Sequence, residues 1–529
     1  MDPNRIEQLR DPTVFPEGAD SVEIIQTHLS VVCLTGNVVY KLKKPIRLPF
    51  ADFSTLEKRR WFCEEELRLN RRLCPEIYLE VASLRQRSDG ELSFAGDGGT
   101  DGEIVDCAVR MKRLPANRML DVLLEKDAVA AEDVEEIARR MTAFHREADR
   151  GPDTRKLGAP RKLREFSLAN FEETRTAVGS VFPPDLHRIL EARTRTDFDR
   201  WTPLLETRSD SGHVVDGHGD LHARNICLTE PVSIYDCIEF NPEFRCGDVA
   251  TEHAFLTMDL RFRGHAGLAA SYLDAVTQAN GDEEMRRLMP MLVRYRAMVR
   301  AKVASITAGE TELPEGDRGE ARETALRYLR LAAASAVEED GPWWLILCGL
   351  PASGKSTLAT GLARSASDAW PVFASDRVRK ELAGGAPTDS LPDRYYTPEF
   401  SRRTYDAVYD RAEEATGRAG VVILDANFGQ REERARACEA ATKAGAKAAI
   451  LHLDADETAI RERLEARSRD PDSQSDADLS VYESLRERFE RPEAGEGDLL
   501  LDLASGENDP QDAVLAALPG FTASREPRL

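Results

Sequence analysis

The sequence predicts two domains of different class: an N-terminal α+β domain with a small β-rich lobe and a larger helical lobe, and a C-terminal α/β domain built on a parallel sheet. Three observations carry this expectation. The chain has 529 residues, more than one hydrophobic core normally serves. Short strand-like runs at residues 22–43 give way to helical periodicity from 119 onward. After EEDGP (338–342), apolar strands and helices alternate to the end, the pattern of βαβ units. The expected domains are therefore 1–337 and 343–529, with 338–342 as linker.

The elements follow in order. VEIIQTHLSVVCLTGNVVYKLK (22–43) reads as three strands broken at THLS and TGN. A charged helix follows in STLEKRRWFCEEELRLNRRL, with Ser54 as its N-cap and Glu57 three residues on. YLEVASLRQ and EIVDCAVRMKRLP are strand-like, separated by a Gly/Asp turn cluster at 96–102. Residues 119–205 are mostly helical, 214–240 alternate turn and strand, and 247–335 are helical again. TAGETELPEGDRGE (307–320) reads as a polar loop from which a helix runs to about Val337, and WWLILCGL opens the second domain as a strand.

Bulk properties remove several functional classes. The formal net charge of −22 argues against an extended nucleic-acid or anionic-membrane surface. The nine cysteines are scattered with no CxxC pair, which disfavours zinc and a disulfide framework and suits reduced thiols. MDPNRIEQLRDPTVFP lacks an apolar signal-peptide core, and no apolar run approaches the ~18 residues of a membrane span. A cytoplasmic protein is expected, and its oligomeric state is not legible.

The stretch HGDLHARN (218–225) spaces Asp220 and Asn225 as H-x-D-x-x-x-x-N. A carboxylate there can orient an attacking hydroxyl and take its proton, while an amide oxygen ligates Mg²⁺ beside phosphates. NICLTEPVSIYDCIEF then forms two apolar strands around a TEP turn, which returns Asp236 towards Asn225. A polar turn that merely caps backbone groups is the competing reading. HGDLHARN followed by IYDCIEF resembles the aminoglycoside/choline phosphotransferases, a branch of the protein-kinase-like fold, over about residues 20–335. The resemblance implies Asp220 as catalytic base and Asn225 and Asp236 as magnesium ligands. It makes His218 a support of the loop and puts His222 near the acceptor. It also implies a strand lysine on the ATP phosphates and a helical glutamate holding it. VVYKLKK puts Lys41 and Lys43 on one strand face; Lys41 fits the family pattern better, and Glu66 is preferred over Glu64 and Glu65. MKRLP (111–115) would be the adenine hinge. One departure stands out: the turn that should cover the phosphates reads QTHLS, without glycine, so the amides of Thr27–Ser30 and the Ser30 hydroxyl would have to substitute.

GLPASGKST (349–357) fits G-x-x-x-x-G-K-[ST] between a strand and a helix. Gly349 and Gly354 let backbone amides wrap phosphates, with Ala352, Ser353 and Thr357 completing the loop. Lys355 reaches the β/γ oxygens and Ser356 ligates Mg²⁺. Downstream come FASDRVRKEL, VVILDANF and the arginine-rich RERLEARSRD. This set resembles the small P-loop kinases, including gluconate kinase, polynucleotide 5′-hydroxyl kinase and the zeta toxins, over about residues 341–529. The resemblance implies a P-loop NTPase fold and Asp376 as the residue that orients the acceptor hydroxyl. Arg379 would hold an anionic part of the acceptor, Asp425 is a Walker-B-like metal candidate, and Arg463 or Arg467 would be lid arginines. Asp376 and Asp425 also fit helix N-caps, and arginines among glutamates also fit surface pairs. DPDSQSDADL (470–479) would be a mobile lid loop.

The expected function is a bifunctional ATP-dependent kinase acting on hydroxyls of small polar metabolites, with ATP and Mg²⁺ as cofactors. Sequential action would explain the fusion, because product from one site is concentrated for the other. Three other readings stay open: one active kinase beside a nucleotide-sensing module, a C-terminal half acting on nucleic-acid 5′ hydroxyls, and a scaffold that binds ATP only to fold.

Overall fold

The computed structural model describes residues 3–18, 20–48, 51–94, 102–386, 389–467, 478–504 and 509–525. By internal contacts the chain forms two compact units, Met1–Phe166 with Arg200–Met289, and Ser167–Asp199 with Pro290–Leu529. Helical residues on both sides of position 200 are thus shared out between the units, whereas the sequence suggests a single boundary at 338–342.

In the first unit, a six-stranded sheet runs in the order Val22–Gln26, Ser30–Thr35, Val38–Lys43, Glu103–Lys112, Tyr78–Gln86, Leu92–Phe94, antiparallel at every step. Side chains alternate across it. Val31, Cys33, Tyr40, Leu42, Leu84 and Ala108 pack with Phe15 and Phe94 on one face. Tyr78, Cys107 and Val109 pack with Cys63 of the helix Leu56–Asn70 on the other. That helix is capped by Thr55, whose hydroxyl accepts the Lys58 N–H, and not by Ser54. Ser54 is diverted because its own N–H and hydroxyl both donate to Asp52 Oδ1, at 3.1 and 2.6 Å. The helical part contains Ala131–Glu147, Val249–Phe262 and Ala266–Asn280. Beside it lie a two-stranded ladder, Val214–Asp216 with Cys246–Asp248, and the short hairpin Ile226–Cys227 with Ser233–Ile234. A strand lobe and a helical lobe in one unit make this the expected protein-kinase-like α+β fold.

In the second unit, five parallel strands are ordered Val372–Ala374, Val421–Asp425, Trp343–Cys348, Lys447–Asp454, Leu499–Ala504. All six residues of the central strand are buried, as a parallel sheet covered on both faces requires. Trp344, Ile346 and Cys348 point into a core with Val408, Tyr409 and Ala437. The helix Lys355–Ser365 follows the central strand directly, the strand–loop–helix order of a P-loop fold. The polar stretch 307–320 is mostly helical rather than a loop: helices Glu283–Gly309 and Glu315–Glu339 leave only 310–314 between them. Pro314 opens the second helix, Glu315 and Asp317 face its positive end, and Arg318 and Arg322 both pair with Glu315. Its far end is pinned by buried ion pairs. Arg193 contacts Asp197, Glu339 and Asp340 at 2.9, 3.0 and 2.8 Å, and Arg294 contacts Asp197 and Glu339 at 2.6 and 2.7 Å. No helix among the described residues is long and apolar enough to cross a membrane.

Ile346→Ala removes a wholly buried side chain from the centre of the parallel sheet. It should cost about 2–5 kcal/mol, read as a lower denaturant midpoint for the unfolding of the C-terminal unit.

Candidate functional sites

The strand Val38–Lys43 presents both lysines to the helix Leu56–Asn70. Lys41 Nζ lies 2.5 Å from Asp236 Oδ1 and 2.9 Å from Glu66 Oε1, the latter an ion-pair contact rather than an aligned hydrogen bond. Lys43 Nζ is bonded to Glu66 Oε2 and Glu239 Oε1. Glu64 and Glu65 turn away, to Arg60 and Arg68. Burial disfavours the Glu66 carboxylate, but Lys41 and Lys43 outweigh it and hold its pKa well below the usual carboxylate range. Burial opposes the charge on Lys41 as well, and Asp236 and Glu66 outweigh it, keeping the ammonium protonated.

The segment 218–225 is held from beneath by a carboxylate. Glu252 Oε1 accepts the backbone N–H of His218 and, at 2.5 Å, that of Gly219, while Oε2 meets His145 Nε2 at 2.6 Å. Gly219 has φ +85°, and a Cβ there would stand 3.0 Å from the Arg245 backbone, so the turn admits only glycine. His218 is fully buried, and burial lowers its pKa. Its Nδ1 accepts the Asp220 N–H at 3.3 Å and its Nε2 lies 3.0 Å from the Tyr235 carbonyl, so the neutral ring carries its proton on Nε2. Asn225 Nδ2 donates to the Asp220 carbonyl and to Asp220 Oδ2, at 2.9 and 3.0 Å. That fixes the amide and leaves Asn225 Oδ1 as an acceptor, the donor type that Mg²⁺ takes. His222 Nε2 is 3.2 Å from Asp220 Oδ2, and its ring packs on Phe255. Asp236 is left-handed, with φ +64°, a conformation that costs a non-glycine residue strain and clusters at functional sites.

The glycine-free turn is closed on itself. Thr27 N–H donates to the Ser30 carbonyl at 2.9 Å, Ser30 N–H donates to Thr27 Oγ1 at 3.0 Å, and Ser30 is buried. These two amides therefore already have partners inside the turn. In MKRLP (111–115), Lys112 and Arg113 N–H donate to the carbonyls of Ile77 and Asn37.

In the second unit, Gly349 has φ +152°, and a Cβ on it would stand 2.6 Å from the Leu453 carbonyl. Ala352 and Gly354 are also left-handed, with φ +62° and +105°. Gly349 N–H donates to the Asn427 carbonyl at 3.0 Å. Lys355 Nζ donates to the carbonyls of Gly349 and Leu350, at 2.9 and 2.8 Å. Ser353 Oγ is buried with no hydrogen-bond partner among the described residues. Ser356 and Thr357 are exposed in the first turn of the helix. This backbone is the cradle that a phosphate chain fits.

Asp376 is exposed in the first turn of the helix Ser375–Leu382, whose cap is Ala374, and Asp425 is buried at the end of its strand, five residues before the cap Gln430. Neither is an N-cap. Arg379 is buried, donates through Nη1 to the Tyr395 carbonyl at 2.8 Å and to Ser401 Oγ at 3.2 Å, and stacks over Tyr396. Its Nε has no hydrogen-bond partner among the described residues. Arg463 Nη1 donates to the Ala352 carbonyl at 3.0 Å, whereas Arg461 is the surface partner of Glu457. The Arg467 side chain and most of the 470–479 stretch lie outside the described residues.

Two participants escape sequence reasoning, Glu239 and Glu252, and Lys43 is read there only as the alternative to Lys41. A second lysine on a buried strand face is the signal for a second carboxylate and leads to Glu239. Nothing in VATEHAF marks Glu252.

Uncharacterized protein Rv2004c of Mycobacterium tuberculosis is 30% identical over 475 residues, covering 88% of this chain and 90% of the relative. Uncharacterized protein Mb2027c of Mycobacterium bovis matches to the same extent. A family model described as an AAA domain matches residues 345–492. Among solved structures, a choline kinase from Cryptosporidium parvum is 11% identical, with 64% of this chain and 97% of the other covered and a TM-score of 0.35. A gluconokinase from Sinorhizobium meliloti is 20% identical, with 35% and 93% covered and a TM-score of 0.24.

Burial would raise the Glu252 pKa, but His145, His218 and the Gly219 N–H outweigh it and bring it to about 2, below the ordinary 4.5. The resulting stabilisation of about 3 kcal/mol is complete above pH ~4.5 and disappears as pH falls towards 2. Glu252→Gln should be less stable at neutral pH and should lose less on acidification, read from unfolding midpoints between pH 3 and 7.

Proposed function

The chain belongs to the family of the mycobacterial proteins Rv2004c and Mb2027c, and we propose that it is a bifunctional ATP-dependent kinase with functional domains 1–337 and 343–529. Each domain would transfer the γ-phosphoryl group to a hydroxyl of a small polar acceptor. The observation that carries this reading is the meeting of Lys41, Glu66 and Asp236, distant in sequence, in one contact series. The P-loop of the second unit supports the same chemistry there.

In the first domain, Asp220 takes the proton of the acceptor hydroxyl as its oxygen attacks the γ-phosphorus and ADP leaves. His222 lies against Asp220 on the acceptor side. Lys41 neutralises phosphate oxygens, and Glu66 holds it. Asn225 and Asp236 would hold Mg²⁺, which supplies positive charge between the phosphates. In the second domain, the amides of 349–357 and Lys355 hold the phosphates, and Ser356 and Asp425 would hold the metal. Asp376, exposed in the first turn of its helix, orients the acceptor hydroxyl. Arg379 would hold an anionic part of the acceptor, and Arg463, bonded to the Ala352 carbonyl, would be the lid arginine, with Arg467 as the alternative.

A second reading, in which the first domain senses nucleotide and the second performs catalysis, is favoured by the Thr27–Ser30 turn. Its self-satisfied amides offer phosphates less than a glycine-rich turn would.

One experiment separates the two. Wild type, Asp220→Asn and Lys355→Ala are incubated with a metabolite extract, ATP and Mg²⁺, and phosphorylated products are followed by mass. The bifunctional enzyme yields two products, each lost in one variant. Loss of every product in Lys355→Ala, with only a rate change in Asp220→Asn, would leave the first domain as a sensor.

A further inference from the structure

Strand alternation puts two lysines against Glu66, and their surroundings differ. The Lys41 side chain is 15% exposed and stands beside Asp236, which is 40% exposed. Lys43 is 1% exposed and Glu66 not at all. The Lys43 ammonium is enclosed by Glu66 Oε2, Glu239 Oε1 and the ring of Phe53, whose centroid is 5.6 Å away. An ammonium has three donors, and here two carboxylates and an aromatic face take up its surroundings. It is sealed from any ligand.

Its effect on Glu66 is nonetheless specific. The aligned hydrogen bond on that carboxylate comes from Lys43 to Oε2, whereas Oε1 has only the 2.9 Å ion-pair contact with Lys41. Glu239 lies three residues after Asp236, so Lys43 ties together the lysine strand, the Glu66 helix and the segment that carries Asp236. Lysine stems are flexible, and without Lys43 the Glu66 carboxylate would keep, among the described residues, the single contact with Lys41, which Asp236 also draws.

We propose that Lys43, together with Glu239, is a positioning residue of the N-terminal site: by fixing Glu66 through Oε2 it aims Oε1 at Lys41 and so sets the direction of the ammonium that meets the nucleotide phosphates. This rests on the kinase reading of the first domain.

The test uses the full chain carrying Lys355→Ala to silence the P-loop. A non-hydrolysable ATP analogue with Mg²⁺, and separately adenosine, are titrated calorimetrically. The variants are Lys43→Met, Lys43→Met with Glu239→Gln (so that no buried carboxylate is left unpaired), Lys41→Ala, and Lys41→Ala with Lys43→Met. Circular dichroism and thermal midpoints show which are folded. Affinity for the ATP analogue should fall roughly tenfold in Lys43→Met, the scale of one lost charge-assisted contact. It should stay low when Glu239→Gln is added, while adenosine affinity is unchanged. On the Lys41→Ala background, Lys43→Met should add nothing, because it acts through Lys41. Wild-type affinity for the ATP analogue in a folded Lys43→Met/Glu239→Gln chain overturns the proposal, as do equal losses for adenosine or additive losses in the cycle. A parent chain that binds neither ligand, or a Lys41→Ala chain with undiminished affinity for the ATP analogue, instead overturns the kinase reading itself.

Discussion

The first unit is organised by the cost of burying charge. An ammonium removed from water is tolerated only when carboxylates replace its hydration shell. Two lysines two residues apart on one strand share a face, so they demand their carboxylates in the same place. Glu66 from a helix and Glu239 and Asp236 from a distant segment satisfy that demand. Strand, helix and loop are thereby brought to one point.

The second unit answers the same chemical problem with backbone instead of side chains. Gly349, Ala352 and Gly354 adopt left-handed conformations between a buried strand and a helix N-terminus. The amides exposed by that path need no counter-charge to be buried beside them, so the loop is compact where the first site is spread across three elements. The difference also explains why one site shows in nine consecutive letters and the other does not.

Legibility in the sequence follows from this contrast. The strands around Lys41, the central strand before Gly349 and the hairpin after Asn225 were all visible, because alternation, apolar runs and turn residues are local signals. Glu66 could be picked from three adjacent glutamates only by resemblance, and the fold gives the physical reason: its neighbours pair with arginines, Glu64 with Arg60 and Glu65 with Arg68. Ser54 against Thr55 turned on one competing aspartate, which propensity does not weigh. Residues 307–320 read as loop because their charges look soluble, yet Pro314 and the Glu315 pairs open a helix there. Glu252 was out of reach, since its partners, two backbone amides and His145, all lie more than thirty residues away.

The bond from Gly349 N–H to the Asn427 carbonyl joins the phosphate loop to the chain just past the Asp425 strand. Both partners are main-chain atoms, so the join does not depend on which side chain position 427 carries. Descendants of this protein could change that side chain and still inherit the connection. At position 349 they have no such liberty, because the Leu453 carbonyl occupies the space a Cβ would need. The side chain on one side of that bond can drift while the residue on the other stays frozen.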